Sequence, residues 1–434
     1  MRQCRGRARR DGDRMNVQST RGGIEVTLSE AIAQGLAPDG GLFMPPLLKP
    51  HPGAWSDTFH QRTIELLKPL FKSDPLLPHL TAMIDEAFTF DAPTTWLSSN
   101  TGLLELFHGP TSAFKDFGAR FLAAALARIV PTDAITTVLV ATSGDTGAAV
   151  ASAFHNRPQF RLVILYPDQL VSARQAHQLG AFGGNVRAFR VAGTFDDCQN
   201  MVKSVLTDQV LVARHRLTSA NSISLGRLLP QMAYYAHAAL NCVADLGQPP
   251  SFVIPTGNLG NAFACLLARE RGLPIDRVML ATNNNRALVT LAQTGVYEPT
   301  ATVPTLANAM DVGAPSNVER LLHRFQDVQR TVLADSVDDA AIQSCIQRTF
   351  TEHGEIICPH TACAMEVLHR LRAQGDQGRW IVAATAHAAK FDSIVEPLIG
   401  QHIPVPPQLA ALLAQPSHSE PLPAQLGALV DCLQ

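Results

Sequence analysis

The chain has 434 residues, of which 46% are hydrophobic and 17% are charged, and its formal net charge is -2. This length predicts two or three domains, each with a buried core. A charge so close to zero excludes long-range attraction to nucleic acid or to an anionic membrane, so any bound anion must be held by a local site.

Membrane and metal features are not expected from the sequence. No apolar run reaches the roughly 18 to 20 residues that cross a bilayer, and the eight cysteines form no CxxC pair. The chain is therefore expected to be cytoplasmic, with reduced thiols. Cys358, His360 and Cys363 lie close together, but no second pair with zinc spacing follows them. We expect no metal.

The N-terminal part of the chain is rich in loops. Residues 1–14, MRQCRGRARRDGDR, are basic and lead into no apolar segment, so we expect a disordered basic tail and not a secretory signal. Residues 15–95 combine turn formers, as in APDGGLFMPP, with an amphipathic stretch, QRTIELLKPLF. They predict an N-terminal domain.

After residue 96, short apolar strands alternate with polar turns and helices. TTVLVAT runs through SGDTG into AAVASAFH, SFVIP runs through TGNLGN into AFACLLARER, and WIVAAT runs into AHAAKF. Fully apolar strands between helices predict an α/β fold with mostly parallel sheets flanked by helices. In such folds the functional groups collect at the carboxyl ends of the strands.

The first block with chemical interest is FHGPTSAFKDFGARF (107–121), centred on Lys115. Phe114, Phe117 and the apolar helix that follows would partly desolvate the ammonium, which frees the amine as a nucleophile or base. The alternative is a solvated lysine at a helix start, stabilised by Asp116. One lysine alone favours that alternative, and its neighbours favour the first interpretation.

The block ATSGDTGAA (141–149) joins a strand to a helix. Ser143 and Thr146 could offer hydroxyls and first-turn N–H groups to a carboxylate or to a second phosphate. The alternative is a well-capped helix with Ser143 or Asp145 as the N-cap, and the two interpretations are compatible.

Polar groups within an apolar setting occur in SANSISLGRLLPQ (219–231). Asn221 and Ser222 precede Arg227, and arginine is the usual bidentate partner of phosphate. The alternative, an ion pair between Arg227 and a surface carboxylate, remains open, although no acidic residue is near in sequence.

The block TGNLGN (256–261) lies between an apolar strand and a helix. Gly257 and Gly260 let the backbone approach an anion, and the unpaired N–H groups of the helix start would complete a phosphate cup. The spacing fits neither a P-loop nor a GxGxxG turn. An ordinary tight turn is the alternative.

In VAATAHAAKF (382–391), Thr385 ends a strand and could donate or accept a hydrogen bond at a ring nitrogen, whereas His387 and Lys390 are expected to be structural or rim residues. Two phosphate-binding turns and a semi-buried lysine in one chain indicate a phosphorylated cofactor that forms a Schiff base. Pyridoxal 5'-phosphate meets this description, and the second anion site is left for a phosphorylated substrate.

These blocks resemble the threonine synthase family (longer type) within the tryptophan-synthase-β-like, fold type II pyridoxal-phosphate enzymes. The likeness runs from QSTRGG (18–23) to FDSIVEPLIG (391–400), and FHGPTSAFKDF, SGDTGAA and NAMDV are typical of the family itself. It implies a disordered tail at 1–14, an N-terminal domain at 15–95, a large cofactor-binding domain at 96–134 and 205–434, and a smaller mobile domain at 135–204.

The resemblance also implies roles for individual residues. Lys115 would form the Schiff base with pyridoxal phosphate, and Thr385 would contact the pyridine nitrogen. The cofactor phosphate would be bound by Gly257, Asn258, Leu259, Gly260 and Asn261. The substrate would be bound at its carboxylate end by Ser143, Asp145 and Thr146, and at its phosphate by Asn221, Ser222 and Arg227.

The sequence departs from the family pattern at three positions. Leu259 stands where an aromatic residue is common, and Ala388 stands where proline is expected. Asp145 stands where the shorter relatives carry asparagine, which leaves the contact to the cofactor's ring hydroxyl open. None of these changes removes a catalytic group.

The reaction implied by the resemblance is the γ-elimination of phosphate from O-phospho-L-homoserine, followed by addition of water at the β-carbon to give L-threonine, the last step of threonine biosynthesis. We expect a monomer or homodimer. The alternatives are a phospho-lyase or threonine dehydratase of the same fold and a catalytically silent ligand-binding relative. A nucleotide-binding module is the least consistent, because the Mg²⁺-binding pattern is missing.

Overall fold

The computed structural model describes residues 16–142, 144–168 and 171–433. The predicted basic tail and Ser143 lie outside these ranges. No helix within them is long and apolar enough to cross a membrane.

A small antiparallel sheet and three helices form the N-terminal region. Strand β1 (Val17–Ser19) pairs with both β2 (Glu25–Val26) and β3 (Phe43–Met44). The helices are α1 (Leu28–Gln34), α2 (Phe59–Leu67) and α3 (Leu80–Ala87). Helix α1 begins with a capping box, in which Thr27 and Glu30 satisfy each other's backbone N–H groups. The predicted N-terminal extension is confirmed.

The remaining strands belong to two larger sheets. In chain order they are β4 (Thr94–Ser98), β5 (Thr101–Glu105), β6 (Thr136–Ala141), β7 (Phe160–Pro167), β8 (Val186–Ala192), β9 (Leu217–Ser219), β10 (Ser251–Pro255), β11 (Val278–Thr282), β12 (Leu333–Ser336), β13 (Trp380–Ala384) and β14 (Glu420–Pro423).

Helices cover these sheets. In chain order they are α4 (Lys115–Ile129), α5 (Asp145–Phe154), α6 (Ala173–Gly180), α7 (Phe195–Thr207), α8 (Gln209–His215), α9 (Leu225–Leu228), α10 (Met232–Leu246), α11 (Gly260–Glu270), α12 (Ala287–Thr294), α13 (Val318–Arg324), α14 (Val328–Thr331), α15 (Asp339–His353), α16 (Pro359–Ala373), α17 (Asp392–Ile399), α18 (Pro407–Leu413) and α19 (Leu426–Cys432). Short 3-10 turns occupy 68–71, 77–79, 229–231, 308–310 and 388–391.

One sheet has the strand order β12-β11-β10-β13-β5-β4 and is parallel except for its edge strand β4. The other has the order β14-β8-β7-β6-β9 and is parallel throughout. Strands β6, β10, β11 and β13 are buried along their whole length, as expected when helices cover both faces of a sheet. The predicted α/β fold class is confirmed.

The second sheet takes strands from distant parts of the chain. Strand β9 and the C-terminal strand β14 both pair with strands of the 135–204 segment. The domain limits given above therefore stay a prediction, and the sheet that includes 135–204 also includes residues 217–219 and 420–423.

The carboxyl ends of strands from both sheets open on the same side. Strand β6 is followed by the block that begins at Thr142, β9 by the block with Asn221, β10 by the turn at Thr256 and β13 by Thr385. The loop after β5 leads to Lys115 at the first position of α4. The fold therefore collects the chemically interesting turns around one crevice.

An aromatic cluster fixes helix α4 against the N-terminal region. The ring of Phe117 is fully buried and lies 4.7 to 6.0 Å, centroid to centroid, from the rings of Phe90, Tyr234, Phe88 and Phe59. Phe117 is two residues from Lys115, so the packing that secures α4 also sets the position of the lysine backbone.

Replacing Phe117 by alanine should lower the free energy of unfolding by about 3–5 kcal/mol, because the ring's burial is lost and a cavity remains. Urea unfolding of the cofactor-free protein measures this. Leu47→Ala is the control, since Leu47 is 67% exposed and its loss should change the stability by less than about 0.5 kcal/mol. Equal stabilities for the two variants would contradict the role given to the cluster.

Candidate functional site

A cavity of about 790 Å³ lies between the carboxyl ends of the two larger sheets. All the candidate site residues within the described ranges line it: Lys115, Asp145, Thr146, Asn221, Ser222, Arg227, Gly257, Asn258, Leu259, Gly260, Asn261 and Thr385. Ser143, outside those ranges, stays a prediction. Residues that are up to 270 positions apart in the chain are thus neighbours in space, as the strand-end argument predicts.

Lys115 begins helix α4, and its Nζ lies 5.8 Å from the centre of the Phe114 ring. This Nζ makes no hydrogen bond or ion pair with another described residue. Burial lowers the pKa of its ammonium from 10.5 to about 8, and of the nearby charges Asp145 opposes this change while Arg227 and Lys390 add to it.

Asp116 does not stabilise Lys115. Its carboxylate accepts hydrogen bonds from the backbone N–H of Thr111 at 2.8 Å and from the Thr111 hydroxyl at 2.7 Å. The interpretation of Lys115 as a solvated lysine held by Asp116 is therefore wrong. Of the two flanking phenylalanines, Phe114 approaches the amine, whereas Phe117 packs into the aromatic cluster.

The turn of residues 256–261 is shaped as an anion cup. The backbone N–H groups of residues 257–261 donate to no acceptor among the described residues, and they stand at the start of the eleven-residue helix α11. A Cβ at Gly257 would come within 2.7 Å of the Met310 Cα, so only glycine fits there. Leu259 adopts a left-handed conformation, with φ of 65°. Such strain persists only where surrounding contacts hold it.

Asn258 ties this turn to its surroundings. Its side-chain amide donates to the Ser222 hydroxyl at 2.7 Å, and its backbone carbonyl accepts from the Asn317 side chain at 2.9 Å. Asn317 in turn accepts from Arg320, a fully buried residue of α13. Arg320 also donates to the carbonyl of Phe43 at 3.0 Å and to the carbonyl of Ile223. A chain of hydrogen bonds therefore connects the N-terminal sheet to the anion cup.

Asn221, Ser222 and Arg227 form a second group of donors. The Asn221 side-chain oxygen accepts from the backbone N–H of Ala141 at 3.2 Å, and the Ser222 oxygen accepts from Asn258. The amide N–H₂ of Asn221 and the hydroxyl proton of Ser222 remain available to a ligand. Arg227 is buried, and burial lowers its pKa to about 10, so it stays charged at neutral pH.

Arg227 has one orphaned donor. Its terminal nitrogen donates to the carbonyl of Ala220, while its Nε has no partner among the described residues. A Cβ at Gly118 of α4 would lie 2.6 Å from the Arg227 carbonyl oxygen, so the small residue lets α9 approach the lysine helix. The surface ion pair considered for Arg227 is wrong, because its side chain is buried and no carboxylate in the described part of the chain pairs with it.

The start of α5 forms the opposite wall. Thr142 accepts from the backbone N–H groups of Gly144 and Gly147 at 3.0 and 2.8 Å, and Gly144 is the N-cap residue. Asp145 is the first helical residue, so the alternative that it serves as the N-cap is wrong. The Thr146 hydroxyl has no partner among the described residues and lines the cavity.

Asp145 is held by two groups that the sequence analysis did not assign to the site. Its Oδ1 lies 2.8 Å from Nζ of Lys390 and accepts from the Gln175 side chain at 3.0 Å. Burial alone would raise the pKa of Asp145, but the ammonium groups of Lys390 and Lys115 hold it well below its ordinary value. Lys390, expected to be a structural or rim residue, is fully buried.

Thr385 follows β13 and faces the cavity. Its backbone carbonyl accepts from the N–H of Phe114 at 2.9 Å, and its hydroxyl has no partner within the described part of the chain. His387, two residues on, is structural, since its Nδ1 accepts from the backbone N–H of Ala389 at 3.1 Å.

The residues of this cavity fit pyridoxal phosphate. The unpaired N–H groups of residues 257–261 suit a phosphate, the free hydroxyl of Thr385 suits a ring nitrogen, and Lys115 supplies an amine of lowered pKa. The donors around Arg227 and the start of α5 are left for a second ligand with its own anionic groups. The cavity volume is within the range of small-molecule sites.

Two clusters resemble metal ligands. In the first, His360 Nε2 accepts from the backbone N–H of Ala309 at 3.1 Å, and the Cys358 sulfur accepts from that of Thr361. In the second, ligand atoms lie within 4.8 Å of one another in Cys345, Glu366 and His369. Arg348 adjoins that group and pairs with Glu366 at 2.6 Å, a fixed cation that opposes metal binding.

Comparison with known proteins gives matches along most of the chain. Residues 102–386 match the family model "Pyridoxal-phosphate dependent enzyme", residues 16–88 match "Threonine synthase N terminus", and residues 361–432 match "Threonine synthase, C-terminal". Threonine synthase of Serratia marcescens is 38% identical, over 93% of this chain and 95% of that protein.

Two crystal structures are similar in fold. Threonine synthase from Escherichia coli superposes with a TM-score of 0.89 at 36% identity, covering 96% of this chain and 99% of the other. Threonine synthase from Brucella melitensis with bound pyridoxal phosphate superposes with a TM-score of 0.85 at 30% identity, covering 96% and 98%.

Replacing Arg320 by methionine should weaken pyridoxal phosphate binding at least about tenfold. The Asn317 side chain, which positions the anion cup, would lose the guanidinium that donates to it. Fluorescence titration of the cofactor-free protein measures this. The matched control is Arg324→Met on the same helix, which breaks an ion pair with Glu270 remote from the cup. Equal losses of affinity in the two variants would show a general loss of stability and contradict the link.

Proposed function

Because this chain belongs to the threonine synthase family of pyridoxal-phosphate enzymes, we propose that its cavity converts O-phospho-L-homoserine and water into L-threonine and inorganic phosphate. The observation that carries this proposal is the arrangement of the cavity. A lysine amine of lowered pKa lines the same cavity as the cup of residues 257–261 and a second donor set around Arg227. The cup of residues 257–261 suits the phosphate of the cofactor, and the donors around Arg227 suit the phosphate of the substrate.

When bound, pyridoxal phosphate supplies an aldehyde that takes up an amine and a ring that accepts electrons from the adjacent carbon atoms. The residues that would hold it are Gly257 through Asn261 at the phosphate and Thr385 at the ring nitrogen. Thr385 would offer the ring nitrogen a hydroxyl and not a carboxylate. It would therefore provide a hydrogen bond and leave that nitrogen without a paired negative charge.

Lys115 is the residue that moves protons. With a pKa of about 8, a sizeable minority of its side chains carry a free amine at neutral pH, and the remainder are poised to return a proton. We propose that Nζ of Lys115 removes the α-proton and then a β-proton of the substrate, and later returns protons to the γ- and α-carbons. The substrate phosphate leaves from the γ-carbon, and water adds at the β-carbon.

The two ends of the substrate meet different donors. Arg227, the Asn221 amide and the Ser222 hydroxyl would bind the phosphate, since all three residues line the cavity and the Asn221 N–H₂ and the Ser222 O–H donate to no described residue. The Thr146 hydroxyl and the N–H groups at the start of α5 would bind the carboxylate. Asp145 lies beside that end, where its pairing with Lys390 limits its repulsion of the substrate.

We propose that the smaller unit, residues 135–204 together with β9 and β14, moves relative to the larger sheet. Closure would keep bulk water out until the addition step. Polar contacts that join the two units support a defined closed state. Ser172 donates to the Lys390 carbonyl at 3.1 Å, Arg174 pairs with Asp392 at 3.0 Å, and Asn308 donates to Gln175 at 3.0 Å.

Incubation with O-phosphohomoserine, with phosphate, threonine and 2-oxobutyrate measured together, tests the activity. Lys115→Ala should abolish formation of phosphate and threonine, by about a thousandfold or more, and should remove the visible absorbance of the bound cofactor. Lys49→Ala, at an exposed position, is the control and should retain both. Turnover that survives in Lys115→Ala would refute the assignment. Phosphate with 2-oxobutyrate and no threonine would indicate the lyase or dehydratase alternative.

Arg227→Lys should raise the KM for O-phosphohomoserine about 10- to 100-fold, because a paired, charged hydrogen bond to the phosphate is lost. Inhibition by inorganic phosphate should weaken by the same factor. Inhibition by L-threonine, which has no phosphate, should stay unchanged and serves as the internal control. A parallel weakening of threonine inhibition would place Arg227 elsewhere than at the substrate phosphate.

A further inference from the structure

Lys390 joins three segments of the active site by fully buried contacts. Its Nζ pairs with Asp145 Oδ1 at 2.8 Å and donates to the Thr111 carbonyl at 2.9 Å. The side-chain exposures of Lys390 and Asp145 are 0% and 4%. Thr111 belongs to the loop before Lys115, and its N–H and hydroxyl bind Asp116 on the lysine helix. The Lys390 ammonium thus connects the turn after β13 with the start of α5 and with the loop that positions Lys115.

Asp145 is further fixed by Gln175. The Gln175 amide donates to Asp145 Oδ1, and its oxygen accepts from the Asn308 side chain at 3.0 Å and from the backbone N–H of Ser172 at 3.0 Å. Both contacts are made by Oδ1, so rotation of the carboxylate away from Lys390 would break the ion pair and the hydrogen bond from Gln175, whose other end is itself held. Asp145 is therefore directed toward Lys390.

Four charged or titratable groups act on Lys115 within the described part of the chain. They are Asp145 from α5, Lys390 from the turn after β13, Arg227 from α9 and His360 from α16. Burial lowers the pKa of His360 to about 4, so its ring is neutral at neutral pH. The single carboxylate of this set is Asp145, and its pairing with Lys390 limits how strongly its negative charge acts on Lys115.

A purely structural role does not account for this pair well. Moving two charges out of water costs as much as, or more than, their attraction returns, so buried ion pairs contribute little net stability. Apolar side chains would join the two sheets equally well. The pair is instead found beside a reactive amine and beside the site proposed for the substrate carboxylate, where an unpaired Asp145 would disturb both.

We propose that Lys390 is a positioning residue, which holds the Asp145 carboxylate in a buried ion pair and so prevents it from pairing with the Lys115 amine. This inference rests on the proposed role of Lys115 as the reactive amine. Without Lys390, Asp145 would turn its charge on Lys115 and stabilise the protonated form. Loss of the Lys390 ammonium would itself also raise the pKa of Lys115, so both effects reduce the share of free amine.

The test is the reactivity of Lys115 in the full-length, cofactor-free protein. Acetic anhydride modifies only the neutral amine, so the labelling rate of Lys115 as a function of pH, read by mass spectrometry, gives its pKa. The wild-type midpoint should lie near pH 8. In Lys390→Met it should rise by at least about one pH unit, which is about tenfold slower labelling at pH 7. Lys390→Arg keeps the charge and should label as the wild type does.

Removal of the carboxylate should have the opposite effect. In Asp145→Asn the midpoint should fall, since Lys115 loses its one negative neighbour and keeps two cations. The double variant Asp145→Asn, Lys390→Met should return toward the wild-type midpoint, which completes a double-mutant cycle. If Lys390→Met alone does not fold, the labelling midpoint of Lys115 in Asp145→Asn and in the double variant still tests the proposal, because the direction of each midpoint is predicted.

An unchanged midpoint in Lys390→Met, or a double variant that labels as Lys390→Met does, would overturn the proposal and leave the pair a structural link. The measurement is independent of the proposed reaction, because labelling needs neither cofactor nor substrate. As a second readout, the acid limb of the kcat profile of the holoenzyme should move to higher pH in Lys390→Met and not in Lys390→Arg.

Discussion

The burial of one lysine amine is the constraint on which the rest of the structure depends. A larger share of free amine at neutral pH requires that the ammonium be disfavoured, and burial at the first position of α4 lowers the pKa of Lys115 from 10.5 to about 8. The start of a helix carries a partial positive charge, which acts in the same direction. Every other group near Lys115 has to preserve this condition while anions of the cofactor and substrate are bound.

The fold meets the constraint because two parallel sheets present their carboxyl ends to one cavity. We propose that anion binding is done mainly by backbone N–H groups at helix starts, as in residues 257–261, which would attract a phosphate without adding a mobile cation beside the lysine. Arg227 and Lys390, the cationic side chains that act on the pKa of Lys115, are buried and fixed by hydrogen bonds to carbonyl groups. A net charge of -2 over the whole chain is therefore compatible with a site for two phosphates.

Local features of the site could be predicted from the sequence, and distant supports could not. The turns at Lys115, Thr146 and Gly257 were recognisable because a strand, a turn and a helix follow one another within about fifteen residues. Arg320 acts on the anion cup from a helix sixty positions away, and its partner Phe43 is 277 positions from it. Nothing in its local sequence, VERLLHR, distinguishes it from a surface arginine. The pairing of β14 with β8 was equally hidden, since EPLP has no strand-like pattern of its own.

Lys390 shows why exposure is hard to predict for such groups. In AHAAKF a lysine that follows small residues suggests a structural or rim position, and only the fold reveals that Asp145 lies opposite it. The segment that carries Lys390 also receives Ser172 and Arg174 from the smaller unit. Opening of that unit would therefore separate Asp145 from Lys390 at the same time as it admits water. Closure and the proton affinity of Lys115 would then be coupled, because closure removes water from the amine, which favours its free form, while the paired charges of Asp145 and Lys390 offset each other.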